Sequence, residues 1–280
     1  MNVRRMPTAL VLAAGLTVAA ALLPAGSTLG GCTLRGTGGD LVEVELAFAG
    51  AASEGGPLGV GETLYDPPWE VELTEARLVL GAAYVFPPAE IADRWRLPFT
   101  RRRAHAHAGD DNLFAVNALV EWREQVVVDA LAAEPTVVGP VLGEAGVADI
   151  ATVWIDAPRG ALAGPDGPTR GHHGWVAGVA RRGDEEVRFE AGLALEDTPL
   201  SQRVDRIPLD DGARIAQGSR VRIEVLADTW LQQVDFGALV EDGALEPGDD
   251  GVARPMAPHP FQRAWLIDFH DPDAFRARVD

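Results

Sequence analysis

The stretch His172–Leu195, HHGWVAGVARRGDEEVRFEAGLAL, constrains the fold more than any other part of the chain. Two apolar runs flank Arg182-Gly183-Asp184. A glycine at that point supplies the positive φ that a tight hairpin turn needs. The pattern predicts two antiparallel strands. LVEVELAFAG (41–50) alternates Val42, Val44, Leu46 and Phe48 with Glu43, Glu45 and Ala47, the period of a half-buried strand. WEVELTEARLVLGAAYVF (69–86) alternates too, but its phase changes near Thr74–Ala76, which predicts a bulge or bend.

QVVVDAL (125–131), DIATVWIDA (149–157), RVRIEVLAD (220–228) and FQRAWLIDFH (261–270) read as further strands. TWLQQVDFGAL (229–239) reads as a short helix capped by Asp228 or Thr229. DPDAFRARV (271–279) reads as a helix start, with Asp271 as N-cap and Pro272 at N1. LEPGDDGVARPMAPHP (245–260) reads as an exposed loop. With 20 prolines and 31 glycines between short strands, the expected architecture is all-β: a single antiparallel β-sandwich, immunoglobulin-like, with one or two short helices, over residues 41–280.

The N-terminus reads as an export signal. Arg4 and Arg5 form a basic lead, and TALVLAAGLTVAAALLPAG (8–26) is an uncharged apolar core. It ends in Leu29-Gly30-Gly31-Cys32, which resembles the bacterial lipobox. That resemblance implies cleavage before Cys32, acylation of its sulfur, and attachment to a membrane through acyl chains. Residues 1–31 are then the signal and 32–40 a glycine-rich tether. Cys32 is the only cysteine in the chain, so no internal disulfide forms. Thr33 after the cysteine, in place of aspartate, favours the outer membrane of the cell envelope by resemblance to enteric sorting.

Charge excludes some partners. Every one of the 24 basic residues is arginine. Without residues 1–31, which hold Arg4 and Arg5, the remaining 249 residues carry 22 basic and 42 acidic side chains. A surface so acidic repels nucleic acid and attracts cations. Ser53, Ser201 and Ser219, the serines after Cys32, lie in no G-x-S-x-G motif, and no thiol nucleophile is available. The runs Glu185/Glu186 and Asp249/Asp250 read first as turn or solvated surface. The reading is therefore non-enzymatic.

Histidines carry the remaining signal. His105 and His107 lie one residue apart in RRRAHAHAGDD (101–111). On an extended segment, residues i and i+2 point the same way, roughly 6.5–7 Å apart, so two imidazoles can reach one ion. Neutral imidazole suits copper and zinc, and Asp110 or Asp111 can complete or orient the set. His172 and His173, at the mouth of the hairpin, are candidate supplements. His259 and His270 are weaker candidates. The alternative for all of them is a polar loop on a structural or ligand-binding envelope module with no metal.

VELTEARLVLGAAYVFP, AHAHAG, HGWVAGVARRGDEEVRFEAGLAL and RVRIEVLADTWLQQVDF, taken in order, resemble secreted lipoproteins of deltaproteobacteria. Those carry an early ARLxLGxxY strand and an AHAH-type segment. More distantly the chain is similar to MbnP-like copper-binding proteins, β-sandwiches often encoded beside a di-haem peroxidase-like partner. The likeness spans residues 41–240. It implies a copper site, with zinc as alternative, and an envelope redox or metal-transfer partner. Where the AHAHAG pattern of the first group continues with a further histidine, this chain has Asp110, replacing a nitrogen ligand with an oxygen.

Overall fold

A computed structural model describes residues 40–53, 56–88, 118–195, 202–255 and 259–280. The lipobox Leu29, Gly30, Gly31 and Cys32, and the candidate ligands His105, His107 and Asp110, lie outside them.

The fold is all-β, and its spine is the strand β3 (Glu70–Phe86). Seventeen residues make it long for a strand, and it serves a succession of partners. On one side it pairs first with β9 (Gly174–Arg182), then with β8 (Ile150–Ile155). On the other it meets β2 (Val60–Glu62), β5 (Val126–Asp129) and β4 (Val120–Trp122). Register shifts between Leu73 and Glu75, and between Leu80 and Ala83, let one strand change course. The first is the phase change the sequence shows near Thr74–Ala76. It moves burial from Val71 and Leu73 to Ala76, Leu78 and Leu80.

β9 and β10 (Glu185–Leu193) form the expected hairpin, closed at Gly183 with φ +59°. Beyond β4 the sheet continues through β6 (Thr136–Glu144), β1 (Leu41–Ala51), β13 (Arg220–Leu226) and β15 (Phe275–Val279). β11 (Arg203–Pro208) pairs with β8, and β7 (Gly146–Val147) with β12 (Arg214–Ile215). The sheet is mixed, contrary to the expected purely antiparallel arrangement. β1 lies parallel to β13, from Glu45 opposite Arg220 to Ala51 opposite Leu226. β14 (Val252–Ala253) lies parallel to β10, so the expected loop 245–260 contains a short edge strand.

Three C-terminal expectations change. FQRAWLIDFH is not a strand: Pro260–His270 is an α-helix, here α2. Phe261, Trp265 and Phe269 recur every fourth residue and are all fully buried, the single stripe a docked helix needs. Ile267 would share their face on a strand, yet it is 62% exposed. The helix α1 is Phe236–Glu241, later than expected and capped by Asp235, whose carboxylate accepts the Ala238 N–H at 3.0 Å. Asp228 does not cap, because its Oδ2 accepts the N–H and hydroxyl of Ser53 at 2.8 and 2.5 Å. Asp271 does cap, but only one 3₁₀ turn, Pro272–Ala274, before the chain enters β15.

The core is continuous from β1 and β13 to β9 and β10. At its heart Trp69, Phe236, Phe189, Phe261, Trp265, Trp230, Phe269 and Phe275 touch in that order, with centroids 5.4–6.5 Å apart. Tilted and edge-on ring pairs of this kind add about 0.5–1.5 kcal/mol each beyond burial. Trp265 reaches this core from the helix α2.

Candidate functional site

Of the two histidine pairs that the sequence singles out, the one at the hairpin mouth lies within the described residues. The long connection from β8 to β9 ends in Arg170 and Gly171, both in the left-handed region with φ of +52° and +84°. That conformation costs a non-glycine residue of order 1 kcal/mol or more. It throws the Arg170 guanidinium across the sheet, 4.0 Å from the Trp175 ring centroid. Arg170 also bonds Glu190 at 3.1 Å and lies 3.9 Å from Glu75. Arg254 reaches the same Glu190 oxygen at 3.2 Å and grips Asp250 with two bonds, of 3.0 and 2.7 Å.

His172 follows directly. Its ring stacks on Trp175, centroids 5.9 Å apart and planes at 29°. It occupies the space a Cβ on Gly192 would fill. Partial burial lowers its pKa from the ordinary 6.5, which favours the neutral imidazole. Neither ring nitrogen hydrogen-bonds to a described residue.

The other described histidines are committed elsewhere. His259 caps α2: its Nδ1 accepts the Phe261 N–H at 3.1 Å, and its Nε2 lies 2.9 Å from the Ala244 carbonyl. Nδ1 of His270 sits 2.9 Å from the Leu266 carbonyl, one turn back in its own helix. His173 is held in the ladder. Its backbone bonds Leu193 and Val79, and its Nδ1 accepts the Leu195 N–H at 3.4 Å. The adjacent imidazoles therefore do different things, and the structure does not pair them.

Among the described residues no three His, Cys, Asp or Glu side chains come together as a metal set. His172 is one donor, not a set. Of the carboxylate runs weighed in the sequence, three members are in ion pairs: Glu185 with Arg182, Glu186 with Arg181 and Arg188, Asp250 with Arg254. The Arg254 hydrogen bonds hold Asp250 down to about 2, so it is an acceptor at neutral pH. Trp69, Trp122, Trp175, Trp230 and Trp265 are buried.

Two features escaped the sequence reading. One is the Arg170–Trp175–His172 stack, whose only written signal is Gly192 inside an apolar strand, where a missing side chain marks close approach. The other is Asp268 on α2, a buried carboxyl accepting the Gln233 N–H at 2.8 Å. Burial is the main cause that pushes its pKa up, to about 7, and the Asp271 charge adds to it.

No protein family, no curated protein and no solved structure matches this chain.

Proposed function

We propose that this protein is a lipid-anchored component of the cell envelope that handles a divalent transition metal, copper ahead of zinc. In this reading it is acylated at Cys32 and does not catalyse turnover. His105 and His107 are the primary ligands, Asp110 an oxygen ligand, and His172 the supplement from the folded sheet; His173 is the weaker partner of that pair. The β strands form an immunoglobulin-like sandwich, a reading supported by one continuous core that joins strands from both ends of the sheet path.

The observation that carries the proposal is the state of His172. It is half-buried, and its pKa is lowered. Neutral imidazole is the ligating form, and a ligand that need not lose a proton binds metal with less pH penalty. Reach permits the rest. Gly174 pairs beside Leu78, and β3 runs eight residues further to Phe86, roughly 26 Å at 3.3 Å per residue. His105 comes seventeen positions after Pro88, a connection that can span roughly 56 Å. A metal-transfer partner in the envelope follows from the same reading.

The test is metal retention. The protein is loaded with Cu(II) or Zn(II), stripped of excess, and its bound metal is measured by mass spectrometry. The same is done for His105→Ala/His107→Ala and for His172→Ala. Near-stoichiometric copper, abolished by the double variant and weakened in His172→Ala, supports the assignment. Full retention by the double variant overturns it.

A further inference from the structure

A second surface lies away from the hairpin mouth, where α1, α2 and the 63–69 turn meet. They enclose a half-open pocket of about 270 Å³. Leu239, Pro260, Ala264 and the Tyr65 ring give it apolar walls; Asp235 and Asp242 stand at its rim. Of the seven large hydrophobic side chains exposed among the described residues, four belong to these three elements: Leu64, Tyr65, Val240 and Ile267. The other three lie on β1 and β6. Of the four, Tyr65 lines the pocket itself; singly exposed apolar residues are ordinary, but an apolar-walled concavity marks a binding surface.

The turn is held firmly. Thr63 and Trp69 exchange hydrogen bonds of 2.9 and 3.0 Å, the Leu64 N–H donates to the Gln232 carbonyl at 2.8 Å, and the Tyr65 hydroxyl to the Gln233 carbonyl at 3.2 Å. Leu64 and Tyr65 are thus fixed in solvent instead of folding inward. Ordering them in advance spares a partner that entropic cost.

Charge identifies the partner. Asp242 is the C-cap of α1, the end of a helix where the carbonyl dipoles favour a cation. No described arginine forms an ion pair with Asp242 or with Asp235. Asp66 and Glu241, next in sequence to the lining residues Tyr65 and Asp242, are both exposed. Arg263 is exposed on α2 but does not line the pocket, and Arg182, whose guanidinium lies beside Gly237, is already bonded to Glu185. An acidic rim around an apolar pocket repels anionic lipid and fits a cationic segment bearing one bulky apolar side chain.

We propose that this pocket docks a basic, apolar-anchored segment of a partner protein. The anchor fills the space between Tyr65, Leu239 and Ala264, and an arginine or lysine on either side pairs with Asp235 and Asp242.

The test uses the full chain in detergent and two acetylated nonapeptides. One alternates arginine and leucine around a central tryptophan, and the other replaces each arginine by glutamate. Binding is read by fluorescence anisotropy, and the contact surface by amide chemical shifts. The basic peptide is expected to bind at least tenfold tighter than the acidic one, with shifts centred on Tyr65, Ala238 and Ala264. Ala238→Arg, at an exposed lining position, should cost tenfold or more; Asp242→Asn should cost several-fold. Three results overturn the proposal: equal affinity for both peptides, unchanged binding by Ala238→Arg, or shifts centred elsewhere. Self-association of the chain that Ile267→Arg abolishes also overturns it, by making the surface a contact between copies.

Discussion

Asp268 offers a quantitative test of how α2 is packed. Its carboxyl is pushed up to about 7 by burial, from an ordinary 3.8. Between those values the folded state keeps a proton that the unfolded state releases. The fold therefore has this group's full stability below about pH 4 and loses it as pH rises to about 7. The loss totals about 4 kcal/mol at 1.36 kcal/mol per pH unit, and about 2.6 kcal/mol of it falls between pH 5 and pH 8. Asp268→Asn keeps an oxygen for the Gln233 N–H and removes the titration. Urea unfolding of both proteins at pH 5 and pH 8 measures the difference, because every other group titrates alike in the two and cancels. The asparagine variant should gain about 2.6 kcal/mol on the parent between the two pH values. A gap that stays constant would refute the packing argument and place Asp268 in contact with water.

Other substitutions probe separate parts. Gly192→Ala puts a methyl group where the His172 ring lies and should turn that ring into solvent. NMR titration should then give His172 a midpoint close to 6.5, against a lower one in the parent. Glu224, 3% exposed, lies between Arg276 and Arg278. Glu224→Ala should cost about 2 kcal/mol in chemical unfolding, less than the 3–5 of a fully buried pair because both arginines reach water. Trp265→Ala empties the centre of the ring cluster and should cost about 3–5 kcal/mol by the same measurement. A loss below 1 kcal/mol would show that the cluster collapses around the gap.

The strands were legible wherever one period governed a run. Val42 to Phe48 and the β9–β10 hairpin alternate cleanly, and even the bulge in β3 is written in the shift from Leu73 to Ala76. α2 was not legible, because Phe261, Trp265 and Phe269 are spaced by four, a multiple of two that also matches a helical turn. Only the exposure of Ile267 separates the alternatives, and exposure is a tertiary property. The cap of α1 was misplaced for a related reason: Asp228 is a good cap by type, but Ser53, far away in sequence, claims its carboxylate. The site was legible as residue types and not as roles. Four histidines of similar local setting divide into a helix cap, an i−4 bond, a ladder member and one open imidazole. That division depends on Ala244, Leu266, Leu195 and Gly192.

β1 is the first described strand, and its neighbours are β6 along Leu41–Phe48 and β13 along Glu45–Ala51, so that between them they cover its whole length. A pull transmitted through the residues before Leu41 acts along the axis of β1. Both ladders then lie across the direction of force, and their bonds share the strain together instead of opening one after another. Extraction of β1 would have to break the two rows at once. The domain is thus arranged to withstand tension applied from the N-terminal side.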